Sequence, residues 1–207
     1  KCVLDQARNI NSFVLAPDGE FDAGNALYIK GKNAAGEAVK AQGKLGDVTS
    51  FVVETQSAAT VTLTKQSGAG SFRDLTINHA SADITLAAAM SLSRNLTITA
   101  GTLDTDSSND YGLTIAETTQ IGTNGTLNCN ASTCQFGATS YTGGKGLDCV
   151  GSSPGATFNG GTGTHTYSSI LLAADSNIDF TPTTGSATIT AESNTNIAFY
   201  MANGTVV

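Results

Sequence analysis

Apolar and polar residues alternate along this chain in short bursts, and one burst recurs six times. It is an apolar residue, a threonine and another apolar residue: Val61-Thr62-Leu63, Leu75-Thr76-Ile77, Ile84-Thr85-Leu86, Leu96-Thr97-Ile98, Leu113-Thr114-Ile115 and Ala187-Thr188-Ile189. Side chains alternate across a strand, so each copy predicts a short strand with its outer residues on one face and its threonine on the other. A three-residue strand cannot bury its apolar face alone, whereas a stack of such strands can. The pattern therefore predicts an all-β fold, a β-solenoid or parallel β-helix.

Spacing sharpens this expectation. The interval from Leu75 to Leu96 is somewhat longer than that from Leu96 to Leu113, with Ile84 and Leu103 as second strands inside each. Coils of about 17 to 21 residues with two or three strands each are expected. Gly125-Thr126-Leu127 repeats Gly101-Thr102-Leu103. Before residue 59 the word is absent, which divides the chain into residues 1–58, a cap or an attachment and coupling region, and residues 59–207, the repeat region. The first part still carries strand-like runs at Phe13-Val14-Leu15, residues 26–30 and Phe51-Val52-Val53, with a Pro17-Asp18-Gly19 turn signal. Residues 33–44 and 86–90 offer at most a turn of helix, weakened by glycine and short length. The glycine- and serine-rich residues 141–166 read as a bulging loop, followed by strands at 170–172, 178–180, 187–189 and 197–200.

Composition supports strands and turns. Charged residues make up 13% of the chain, tryptophan is absent, and threonine, glycine, alanine, serine and asparagine dominate. The formal net charge of −7 is uneven: eight of ten basic residues lie at or before Arg73, and from Asp74 onward ten acidic residues face two basic ones. An acidic surface repels phosphate backbones, so nucleic acid is not an expected partner. No apolar run reaches the roughly 18 residues of a membrane span. The chain opens on Lys1-Cys2 without an initiator methionine, consistent with a removed leader or a piece of a longer protein.

Candidate chemistry is sparse. Cys2, Cys129, Cys134 and Cys149 permit disulfides. A coil matching the Cys129-to-Cys149 interval would stack those two cysteines, and Cys129–Cys134 would staple a loop. Zinc is disfavoured because neither histidine, His79 or His165, lies near the cysteines in sequence and no fourth ligand is evident. Asp104, Asp106 and Asp110 begin like a calcium loop, but Asn109 stands where glycine is needed and Ile115 where a bidentate glutamate is needed. A solvated turn is the simpler account. Asp104/Asp106 and Asp175/Asp179 are the carboxylate pairs available for glycoside hydrolysis, without the aromatic platforms that hold sugars. Gly143-Gly144-Lys145-Gly146 lacks the context of a phosphate loop, and no Gly-x-Ser-x-Gly elbow occurs. No catalytic, cofactor-binding or metal-ligating residue is therefore assigned, and no cofactor is expected.

The run Asn95-Leu96-Thr97-Ile98-Thr99-Ala100-Gly101-Thr102-Leu103-Asp104-Thr105, followed by Tyr111-Gly112-Leu113-Thr114-Ile115, resembles a repeat common in bacterial surface proteins and phage-encoded structural proteins. Phe72-Arg73-Asp74-Leu75-Thr76-Ile77-Asn78 and the run from Ala156-Thr157-Phe158 to His165-Thr166-Tyr167 match its other phrases. The resemblance spans roughly residues 70–190. It implies a parallel β-helix stalk of an adhesin, fibre or virion appendage, and supplies no catalytic residues. The leading expectation is a non-enzymatic structural subunit, extracellular, at a cell surface or on a virion, that self-assembles into a homo-oligomer or filament. About seven coils would give a rod of only some 35 Å, which favours repetition. The alternatives are a receptor- or glycan-binding module that uses residues 141–163, and a polysaccharide-degrading β-helix enzyme.

Overall fold

The computed structural model describes residues 2–4, 6–45, 50–64, 72–137, 146–150, 155–172, 177–179, 187–189, 199–201 and 205–206. Every strand pairing among them is parallel, and no helix occurs among them. The chain winds as a β-solenoid whose coils lay strands into columns.

One column runs Arg8–Ile10, Leu27–Ile29, Ser50–Val53, the first half of Asp74–Leu86, the first half of Leu96–Asp104, Thr119–Ile121, Leu147–Cys149, Ile170–Leu172 and Phe199–Met201. Nine rungs at roughly 4.8 Å span about 38 Å. The second column stacks Phe13–Leu15, Glu37–Ala41 and Ala58–Leu63. It continues through the second halves of the two long strands to Gly125–Asn128, Thr157–Asn159, Asn177–Asp179 and Thr205–Val206. The third holds Met90–Leu92, Leu113–Ile115, Cys134–Phe136, His165–Tyr167 and Ala187–Ile189. Cys2–Leu4, Glu20–Ala23 and Lys44–Leu45 form a separate three-stranded parallel sheet. Pairing crosses residues 58/59 without a break: Ser50–Val53 pairs with Asp74–Leu86, and Glu37–Ala41 with Ala58–Leu63. The N-terminal strands thus share the stack although they lack the threonine word.

The alternation works as the pattern requires. Leu75, Ile77, Leu96, Ile98, Leu113 and Ile115 are fully buried, while Thr76, Thr97 and Thr114 between them are only partly buried. Each buried aliphatic side chain contributes roughly 1.5–3 kcal/mol. Thr62 is the exception, covered to 8% exposure. The Gly-Thr-Leu recurrence is a rung-to-rung match, with Gly101, Thr102 and Leu103 paired to Gly125, Thr126 and Leu127.

Coil length departs from expectation. Leu75 does pair with Leu96, but Leu96 pairs with Thr119 and Leu113 pairs with Met90. The shorter interval, from Leu96 to Leu113, is therefore a step between columns within one coil. Coils also vary in length, from the short one that sets Arg8 on Leu27 to the long one that sets Cys134 on His165. The corners absorb the variation: the Asp74–Leu86 strand shifts register between Asn78 and Asp83, where its neighbour turns at Gly101 with φ +94°. The candidate helical turns resolve as a turn closed by Gly36 N–H donating to Asn33 O, the strand Glu37–Ala41, and the entry to Met90–Leu92.

Candidate functional site

Among the described residues, the acidic stretch that begins at Asp104 belongs to a turn and an outer ladder. Asp104 Oδ1 accepts the Asp106 N–H at 2.7 Å and Asp106 Oδ1 accepts the Ser108 N–H at 2.9 Å. The Asn109 amide donates to Asp106 Oδ2 at 2.8 Å, and this bond, with the Ser108 N–H, holds the Asp106 carboxyl below its ordinary range. Asp104 also accepts from Asn128 and Asn130 on the next coil, and Asn159 donates to Asn128 at 2.7 Å. The resemblance to a calcium loop is thus accounted for as a self-bonded turn at the foot of an Asn ladder. Asp106 and Asp110 take positive φ, as Asp tolerates in turns.

Among the described residues the other candidates do not converge on a site. Asp175 lies outside the described residues, and only the backbone of Asp179 is described, as is that of Cys2. Gly143, Gly144 and Lys145 lie outside them, as do the rest of residues 141–145 and residues 151–154. The remainder of the 141–166 stretch expected as a bulging loop is not a loop, because it supplies the strands Leu147–Cys149 and Thr157–Asn159 and the start of His165–Tyr167 to the three columns. His79 accepts the Ser81 N–H at Nδ1 within its own strand. Arg94 bridges Asp74 and Glu117 on the coils to either side, at 3.9 and 3.8 Å. A shallow cleft of about 610 Å³ on the outer face is lined by Thr97, Thr99, Gln120 and Asn124, with no aromatic side chain.

Inside the solenoid the picture is different. Cys129 follows the strand Gly125–Asn128, and its N–H donates to Asn159 O. Cys134 opens the strand Cys134–Phe136 and pairs in register with His165, which opens the strand one coil on. Alternation turns both inward. All three are buried (Cys129 0%, Cys134 1%, His165 3% exposed), and the two sulfurs and a ring nitrogen lie within 4.8 Å of one another. They are the one such His/Cys/Asp/Glu group among the described residues. No histidine lies near the cysteines in sequence, but a long coil folds the distance from Cys134 to His165 into a single rung and brings the ring beside them.

Close corners make this possible. The turn containing Gly161 and Gly163 lies against the backbone of residues 130–132, where a Cβ at either glycine would strike Asn130 O or Ser132 O. Thr162 N–H donates to Asn130 O at 2.8 Å and Cys134 N–H to Thr164 O at 3.0 Å. Below, Thr105 Oγ1 donates to Cys129 O and Ser132 Oγ donates to Thr105 Oγ1, both at 2.8 Å. Phe136, Phe158 and Tyr167 wall the cluster. Phe136 stacks on Tyr167 with centroids 5.3 Å apart, and Phe158 meets His165 edge-on at 6.4 Å.

His165 Nε2 lies 2.7 Å from Gly160 O. A carbonyl only accepts, so Nε2 carries a proton and donates it to Gly160 O. Nδ1 is buried without a hydrogen-bond partner, a state that costs about 1–3 kcal/mol. The Cys129 thiol donates to the Cys134 sulfur; this bond, aided by the nearby imidazole and opposed by burial, holds Cys134 well below the usual thiol range. Burial, then the hydrogen bond to Cys134 and the Cys134 charge, push Cys129 up. Cys134 is therefore the sulfur that ionises first.

Cys129, Cys134 and Cys149 are free thiols. Cys149 does not stack on Cys129; its rung partners are Ile121 and Leu172, and burial pushes its thiol up to about 12. The sequence interval that suggested the stack is not one coil here. No protein-family model, curated protein or solved structure matches the chain.

Proposed function

We propose that this chain is a non-enzymatic structural subunit, a β-solenoid segment of a surface fibre or virion appendage that lengthens by adding coils from further copies. The supporting observation is the unbroken parallel column from Arg8–Ile10 to Phe199–Met201. Its inner positions from Leu27 to Leu147 are apolar in every coil but one, where Thr119 stands. Each end strand pairs on one side only among the described residues, and such an edge is satisfied by another strand of the same register. The outer face carries threonine and asparagine ladders and acids engaged in turns, a hydrated surface suited to an extracellular setting.

Sedimentation and negative-stain microscopy of the purified chain test the reading. Rods or filaments built from units of about 40 Å are the expected result. A concentration-independent monomer, or turnover of an acidic polysaccharide, would overturn it.

A further inference from the structure

We propose that Cys129, Cys134 and His165 form an internal binding site for one thiophilic closed-shell metal ion, zinc(II) or copper(I), that clamps two successive coils. The inference stands apart from the structural role above and rests on donor chemistry and geometry.

Two sulfurs and an imidazole are the donors that borderline and soft cations select, and no oxygen ligand of the kind calcium or magnesium needs belongs to the group. Metal–sulfur bonds of about 2.3 Å and metal–nitrogen bonds of about 2.0–2.1 Å place donor atoms roughly 3.5–4 Å apart. The three atoms already lie within 4.8 Å, so small side-chain rotations close the set.

The second observation is independent of the cysteines. His165 is 3% exposed, and its Nδ1 has no hydrogen-bond partner, while its Nε2–H is held by Gly160 O. A ligating histidine is oriented in just this way, the far N–H donating to a backbone carbonyl. The Cys129 end is braced as well, its carbonyl accepting from Thr105 and Thr105 in turn accepting from Ser132. Phe136, Phe158 and Tyr167 pack around the site.

Charge balance suits a dry core. Zinc(II) displaces two thiol protons to solvent and forms a neutral Zn(Cys)₂(His) unit whose fourth position a water fills. Copper(I) displaces one proton for a neutral site and tolerates three ligands without a fourth. Either ion ties Cys129 and Cys134 to His165 across a rung, in coils whose connecting loops are long. Burial of all three donors means that the ion is taken up as the coils close.

The test refolds the full chain carrying Cys2→Ser under reducing, oxygen-free conditions in parallel arms with zinc(II), copper(I) and cobalt(II). Bound metal and free thiols are then counted after desalting. One equivalent of zinc or copper per chain is expected, and the arm that retains it identifies the ion. Cobalt should show sulfur-to-metal charge transfer. Cys134→Ser and His165→Leu should each lose the bound equivalent, whereas Cys149→Ser, a buried thiol outside the group, should keep it. X-ray absorption on the otherwise unaltered chain supplies a readout that does not depend on those core variants folding: two sulfur scatterers and one nitrogen are expected, with one further light atom in the zinc arm. The proposal is overturned by substoichiometric metal in both arms, by an equivalent that survives Cys134→Ser, by an oxygen-dominated shell, or by a Cys129–Cys134 disulfide in the reduced preparation.

Discussion

Two residues of the long column behave unlike their neighbours, and each yields a test. Thr119 occupies the rung between Leu96 and Leu147, fully buried, with its hydroxyl unpartnered. Thr119→Val keeps the shape and removes the stranded hydroxyl, so it should stabilise the fold by about 1 kcal/mol, read as a raised urea midpoint. Cys149 gives a pH dependence. Its thiol ionises near 8.5 when unfolded and only at about 12 when folded. Between those values the folded chain holds the extra proton, so stability is intact below about 8.5 and falls as pH rises toward 12. Tyr167, pushed up chiefly by burial, adds loss of the same sign. Urea midpoints from neutral to alkaline pH should fall, and Cys149→Ala should flatten that slope while lowering the midpoint at neutral pH through its cavity. An unchanged slope in Cys149→Ala would show that other groups carry the alkaline loss.

At the scale of the elements, corners decide more than strands do. A strand of three residues is interchangeable with its neighbour as long as its outer positions are apolar. A corner must bring one backbone close under another. Gly101 turns at φ +94° and has no room for a Cβ against His79 O and Ala82 O. Gly101→Ala should therefore destabilise by roughly 1–3 kcal/mol. Gly24, in open space without a positive φ, provides the contrast: Gly24→Ala should be neutral or slightly stabilising, by at most about 1 kcal/mol. Denaturant midpoints of the two variants measured side by side check the pair. Equal losses would mean that corner geometry is not what limits the stack. The same principle explains the buried cluster, since Gly161 and Gly163 let one turn settle on another and so seat His165 over Cys134.

At the scale of the whole molecule, net charge and open strand edges pull in opposite directions. A chain of net charge −7 repels its copies, while edge strands attract them. If assembly proceeds end to end, added salt should screen the repulsion and shift the sedimentation profile toward larger species, whereas assembly through ion pairs would weaken. The sequence by itself determined the strand class, the inward and outward sides of most rungs, the turn at Asp104–Asp110, and, to within a residue at either end, strands at 13–15, 26–30, 51–53 and 187–189. These follow from alternation and turn chemistry, which are local. It did not determine which strand lies on which, because solvent-facing corners of variable length carry no periodic signal, and register is set by backbone hydrogen bonds between coils. That is why Leu113 stacks on Met90 and not on Leu96, why the N-terminal strands join the column without the threonine word, and why Cys149 keeps clear of Cys129. Only the tertiary structure could place His165 beside two cysteines from the preceding coil, because that meeting is made by a rung of the stack and by nothing in the intervening chain.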